Sequence, residues 1–137
     1  MAEFTGRAKY YIFDGAGGMR DQLEQAVLTE LENKQYPLQA RIKSVKSGGF
    51  LLGTKEQCVV IDIEGEYQVC IANTTVGTYL YVGIYLIIPF ASGEGADWAA
   101  KVGDVFKLQR INAYYEAAVH AAESAFNNLA LKQTRYY

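Results

Sequence analysis

The sequence predicts an α+β domain: an antiparallel sheet of four to five strands with two helices, one N-terminal and one long and C-terminal, packed on one face. Three observations predict it. Apolar residues recur at three- and four-residue spacing in two segments, 19–34 and 105–132, which is the period of an amphipathic helix. Between them lie short β-prone runs separated by glycine-containing turns, the pattern of neighbouring antiparallel strands. The strands are bracketed by helices rather than alternating with them, which argues α+β over α/β.

The chain starts with residues 1–8, expected to be a flexible end. Lys9 to Phe13 are β-prone and read as a strand or a packed arm. Asp14-Gly15-Ala16-Gly17-Gly18 breaks the run. From Met19 to Lys34, Met19, Leu23, Ala26, Val27 and Leu31 form one stripe, interrupted by Glu30. Asp21 and Glu24 lie early and Lys34 late, which suits the helix dipole. Tyr36-Pro37 ends the segment, because proline pushes its predecessor out of helical geometry. Leu38 to Lys46 alternates, with Leu38, Ala40 and Ile42 on one side and Gln39, Arg41 and Lys43 on the other. Ser47-Gly48-Gly49 turns, and Phe50 to Leu52 are expected to pair briefly. Gln57 to Ile63 and Glu66 to Asn73 read as strands about a Glu64-Gly65 turn.

Thr75 to Ile88 carries the most information. Thr78, Leu80, Val82, Ile84, Leu86 and Ile88 occupy even positions; Gly77, Tyr79, Tyr81, Gly83, Tyr85 and Ile87 occupy odd ones. A strand sends these sets to opposite faces. One face is aliphatic and belongs against helices, and the other bears tyrosines. Pro89 ends the strand, and residues 90–104 read as a flap-like loop. From Val105 to Lys132 the stripe Leu108, Ile111, Tyr115, Ala118, Val119, Ala122, Phe126 and Leu129 marks a long helix rich in alanine. Residues 133–137 should fray.

Bulk properties narrow the function. With 137 residues, half of them apolar, the chain fits one domain with a real core. Its net charge of −2 argues against a protein that coats nucleic acid. The N-terminus lacks the pattern of a signal peptide. Tyr67 to Gly93 is free of charge and long enough to span a bilayer, but its alternation and polar residues read as buried sheet. A cytoplasmic location is expected. Cys58 and Cys70 lack metal-site spacing and read as buried thiols. A three-residue hairpin loop would oppose them directly and a two-residue loop would send them to opposite faces, so a disulfide between them depends on register.

The candidate chemistry is sparse. Gly15, Gly17 and Gly18 with Arg20 form a candidate phosphate loop ahead of a helix. The dinucleotide fingerprint fails where Arg20 replaces its third glycine, so a plain connector is the favoured reading. Tyr79, Tyr81 and Tyr85, joined by Tyr67, Arg41 and Lys43 if register permits, suit an oligomer interface or a base-stacking platform. Trp98 and Phe90 folded over that face would instead make it internal. Gly77 and Gly83 leave room beside the rings for a flat ligand or a partner's side chain. Asp97 and Trp98 in the flap could clamp a ligand, although a tryptophan more often anchors a loop. His120 sits between Glu116 and Glu123 on a solvated helix face. Asp62, Glu64 and Glu66 at a hairpin tip lack the spacing of a calcium loop.

No catalytic residue, metal or cofactor can be named. The reading is a non-enzymatic binding or assembly module that uses the tyrosine face for self-association or a protein partner, with no membrane role. One alternative is a small-molecule or phosphate-ligand domain, with or without enzyme activity, built on the 14–20 loop and the 90–104 flap. Another is single-stranded nucleic-acid binding on the tyrosine face.

Overall fold

A computed structural model describes residues 3–47, 54–88 and 98–133. The elements run β1 (Glu3–Asp14), α1 (Arg20–Asn33), β2 (Ala40–Ser47), β3 (Thr54–Ile63), β4 (Tyr67–Val76), β5 (Tyr79–Ile88), α2 (Trp98–Val102) and α3 (Val105–Asn128). The strands form one sheet in the order β1-β5-β4-β3-β2, with every neighbouring pair antiparallel. This is the α+β architecture the sequence predicts. β2 to β5 form a meander, with short turns joining β3 to β4 and β4 to β5. β1 lies beside β5, so α1 carries the chain from one edge of the sheet to the other. Among the described residues, no helix is long and apolar enough to cross a membrane.

The core lies between one sheet face and the two longer helices. Val59, Ile61, Val69, Ile71, Leu80, Val82, Ile84 and Leu86 are each fully buried there. Leu23, Val27 and Leu31 of α1 meet them, and so do Ile111, Tyr115, Val119 and Phe126 of α3. Ala118, Ala121, Ala122 and Ala125 are all buried on α3, and such small side chains allow a helix to approach closely. Asp104 caps α3, its carboxylate accepting from the backbone N–H of Phe106 at 2.9 Å and of Lys107 at 3.3 Å. The buried Tyr115 hydroxyl donates to the Ile84 carbonyl at 2.7 Å. Burial pushes this phenol up to about 12, so it stays a donor.

Several polar contacts fasten the sheet to α3. Arg110 donates to Glu64 at 2.7 Å and Lys107 to Glu66 at 2.9 Å, so the acidic hairpin tip is docked rather than merely solvated. Arg7 pairs with Glu116, and its guanidinium lies 4.7 Å from the centre of the Tyr115 ring. The Tyr11 hydroxyl donates to Glu123 at 3.1 Å.

Five expectations need correction. Glu3 to Ala8 are not a loose end but belong to β1, which pairs with β5 from Glu3↔Ile88 to Asp14↔Tyr79. A bulge at Gly6 (φ 93°) absorbs the mismatch, and the Thr5 hydroxyl donates to the Leu86 carbonyl at 2.7 Å. Gly77 and Thr78 are not strand residues. They form the two-residue β4–β5 turn, where Gly77 takes φ 60°, a conformation glycine adopts without strain. Part of the flap is helical, because α2 buries Trp98 against Tyr67, ring centres 5.8 Å apart. Gln133 does not begin a frayed tail but bridges Phe13. The β3–β4 turn has three residues, Glu64 to Glu66, but sits one position later than a direct Cys58–Cys70 pairing needs. Cys58 therefore opposes Ala72 and Cys70 opposes Val60, which makes the thiols diagonal neighbours on one face. The expected pairing at Phe50 to Leu52 and the positions of Phe90 and Asp97 lie outside the described residues.

The glycine segment is fitted to the β4–β5 turn. The Gly17 N–H donates to the Thr78 carbonyl at 3.0 Å, and a Cβ on Gly17 would stand 2.3 Å from the Gly77 oxygen. Gly18 faces open space. Gly17→Ala is therefore expected to destabilise the fold by about 1–3 kcal/mol, as overpacking against backbone does. Gly18→Ala should fall within about 1 kcal/mol of the parent. Urea midpoints of the two variants check this; equal midpoints would remove the packing role of Gly17.

Candidate functional site: the aromatic sheet face

The second face of the sheet takes the residues that alternate with the core. From β5 come Tyr79, Tyr81, Tyr85 and Ile87, as the alternation predicts. Edge strand β1 adds a second aromatic row, because Tyr10 opposes Gly83 and Phe4 opposes Ile87. The Phe4 and Tyr85 rings meet edge to face, with centres 5.7 Å apart and planes at 84°. Tyr10 meets Tyr85 at 5.7 Å and 72°, and Tyr81 at 6.0 Å. Edge-to-face contact is the favoured arrangement of aromatic quadrupoles. Sequence reasoning missed Tyr10 and Phe4. Their membership depends on β1 pairing with β5, for which no local signal exists.

The Tyr85 ring lies along its own strand, over Gly83. A Cβ at Gly83 would stand 2.3–2.4 Å from the ring atoms. The room foreseen beside Gly83 is therefore filled by Tyr85, and Gly77 sits in a turn, so neither glycine leaves a seat for a ligand. Burial, and then the neighbouring Tyr10 and Tyr81, push the Tyr85 phenol up to about 12. It is uncharged at neutral pH.

Much of the face is open. Tyr10 is 47% exposed, Phe4 44%, Tyr79 38%, Tyr81 36% and Val76 63%. These residues are neighbours on β1, β5 and β4, so together they form a patch rather than scattered surface residues. Farther across, a hollow of about 380 Å³ is bordered by Phe4, Tyr10 and Tyr85 on one side and by Val45 and Glu56 on the other. Its floor includes Cys58, Cys70 and Ala72. All the described helices lie on the opposite side of the sheet.

The structure brings together only some of the other residues singled out from sequence. Tyr67 points to the helix side, where it is buried, because the register pairs it with Ile63. Trp98 packs there too and does not fold over the tyrosines. Arg41 and Lys43 share the aromatic face, opposite Val60 and Cys58, but they stand on β2, three strands from β5, or about 14 Å at ordinary strand spacing. Arg41 donates to Asp62 at 2.8 Å, and Gln68 donates to the other carboxylate oxygen at 2.7 Å. Gln68 first, and then Arg41, hold the Asp62 carboxyl below its usual range. Cations and rings therefore do not interleave.

The candidate phosphate loop spends its polar groups internally. Besides the Gly17 N–H, the Gly17 carbonyl accepts from the Thr75 hydroxyl at 2.8 Å, and Asp14 accepts from the Thr78 hydroxyl at 2.9 Å. Arg20 donates to the Gln57 carbonyl at 3.3 Å. Gly15 takes φ 77° to turn the chain, and a Cβ on Gly18 would meet nothing within 4 Å. His120 is exposed, 3.9 Å from Glu123. Among the described residues, no three His, Cys, Asp or Glu side chains gather as a metal site would require.

By fold and surface, the chain defines a class: an α+β domain with helices on one sheet face and an aromatic surface on the other. No known family model, curated protein or solved structure matches it.

One buried group was not foreseen. Glu24, assigned to the helix dipole from sequence, is 1% exposed in α1. One of its carboxylate oxygens accepts from Gln57 at 3.2 Å, while the other has no partner among the described residues. Burial raises its carboxyl above the usual range, against the opposing pull of Arg20. The folded state thus holds a proton that the unfolded chain has released, so stability falls as pH rises from the ordinary carboxylate value, about 4.3, through the raised one. Glu24→Gln should abolish that fall and be the more stable protein at neutral pH. Urea midpoints of both proteins across this range check the claim, and parallel pH profiles would refute it.

Proposed function

We propose that this chain is a non-enzymatic binding and assembly module whose aromatic sheet face docks a protein surface, with a second copy of the chain as the favoured partner. The observation that carries this reading is the contiguous exposure of Phe4, Tyr10, Val76, Tyr79 and Tyr81 on a face free of described helices. Tyrosine and phenylalanine supply large contact area with few rotatable bonds and are enriched in protein interfaces. Like meets like across a two-fold axis. An uncharged aromatic patch can do so without burying like charges, which a charged patch cannot. The shallow hollow beside Tyr85 would receive a protruding side chain of the partner. A cytoplasmic setting belongs to the same proposal, in keeping with two adjacent free thiols.

Size-exclusion chromatography with light scattering tests it. The parent should move from monomer towards dimer mass as concentration rises. Tyr10→Glu and Tyr81→Glu should keep their circular dichroism, since both side chains are well exposed, and weaken association by at least about 100-fold, as charges at the centre of an interface do. A parent that stays monomeric at every concentration overturns self-association.

A further inference from the structure

We propose that the β2 edge of the sheet takes an extended acidic peptide as an added strand, its carboxylates facing Lys43 and its apolar side chains entering a hollow between β2 and α1. This edge is separate from the aromatic patch, and the inference does not depend on the docking role proposed there. The sheet ends at β2, which pairs with β3 alone. An antiparallel strand bonds to its two sides through alternate residues, so half the N–H and C=O groups of β2 meet no strand among the described residues. The two edges of the sheet are not alike. β1 is interrupted by the bulge at Gly6, a usual guard against strand addition. β2 runs in unbroken register from Ala40↔Ile61 to Ser47↔Thr54, 8 residues without a bulge. A regular edge is the template that strand addition uses.

On the helix side of this edge lies a hollow of about 310 Å³. It is walled by Leu28 and Leu31 of α1, by Tyr36 and Leu38 of the connecting segment and by Ala40 at the start of β2, with Glu32 also lining it. Leu28, Leu38 and Ala40 pack against the core yet stay partly exposed. The Tyr36 hydroxyl donates to the Tyr114 carbonyl at 2.8 Å, which fixes that wall in place. Ile42, on the same side of β2 as Ala40, is 37% exposed. Successive side chains of an added strand turn to opposite faces. Those turned to the helix side meet the hollow and Ile42. Main-chain bonds hold such a peptide, and pockets for alternate side chains select it.

The other face of β2 sets the charge of the occupant. Arg41 and Lys43 stand there, opposite Val60 and Cys58. Arg41 is paired with Asp62 at 2.8 Å. Lys43 is exposed and makes no ion pair among the described residues. A carboxylate across from Lys43 is a favourable cross-strand pair, and a like charge there is destabilising. The same rule argues against a second copy at this edge. Two β2 strands meeting about a two-fold axis would bring Arg41 and Lys43 against the same cations of the copy. Glu32 at the hollow disfavours a carboxylate on the helix side. The occupant is therefore an extended segment that is acidic on one face and apolar on the other.

The test titrates the folded full chain into a fluorescein-labelled peptide of alternating glutamate and valine, matched in length to β2, and follows anisotropy. Saturable binding is expected. Lys43→Glu should weaken it at least about 10-fold, and should in turn prefer a peptide of alternating lysine and valine. A central proline in the glutamate–valine peptide should cost at least about 10-fold, because it removes a backbone donor from the added strand. Hydrogen exchange of β2 amides should slow on binding. Tyr10→Glu should bind the peptide as the parent does, which separates this edge from the aromatic face. Anisotropy that never saturates would overturn the proposal. So would equal binding of the proline peptide, or of a polyglutamate peptide, which would leave charge attraction alone. Amide shifts confined to β1 and β5 would move the site to the aromatic face, and β2 protection that grows with protein concentration without peptide would give the edge to a second copy; either overturns the assignment.

Discussion

The pairing of β1 with β5 is the constraint on which the rest of the molecule depends. It joins the first strand to the last across more than half of the chain and places β1 at the sheet edge. It works on both faces at once. Inward, Tyr11 and Phe13 meet Phe126 of α3, each with ring centres 4.8 Å apart. Outward, Phe4 and Tyr10 complete the aromatic surface around Tyr85. Without that pairing, the end of α3 would lose its packing surface and the aromatic face would be reduced to one row of tyrosines. The pairing also compels α1 to cross the sheet, because β2 begins at the far edge.

α3 supplies the other half of the frame. Its start is held to the β3–β4 hairpin by Lys107 and Arg110, its middle to β5 by the Tyr115 hydroxyl, and its end to β1 by Phe126. Exposed ion pairs such as these contribute little energy individually. Their effect is to set where the helix lies. The buried alanines allow close approach, and the apolar surface removed from water across that contact drives the packing. A sheet braced in this way presents its second face as a rigid surface. Rigid aromatic surfaces lose little entropy on docking.

That second face is divided by chemistry. Rings dominate β1 and β5, thiols and small residues occupy β3 and β4, and charges stand at β2 and the hairpin end. At the polar end the Asp62 carboxylate is satisfied by Arg41, its ion-pair partner, and by a hydrogen bond from Gln68. The apolar end has its rings packed on one another but leaves Phe4, Tyr10, Val76, Tyr79 and Tyr81 exposed, and removing such surface from water is favourable. The thiol pair lies between the two ends, directly beside Tyr85, which opposes Cys70 across β4 and β5.

Local pattern alone determined the two long helices, the meander of strands and the separation of aliphatic from tyrosine residues in β5, because these follow from the 3.6- and 2-residue periods of the chain. The tyrosine face could be recognised for the same reason. Only the tertiary structure decided strand order and register. A register change of one residue sends a side chain to the opposite face, and this is why Tyr67 lies with Trp98 rather than with the other tyrosines. Strand order likewise depended on β1 pairing with a segment some seventy-five positions away, whose closure no local period encodes. Tyr10, the cysteine diagonal and the fit of Gly17 against the β4–β5 turn all follow from those long-range contacts, because each is a relation between residues that are neighbours in space and strangers in sequence.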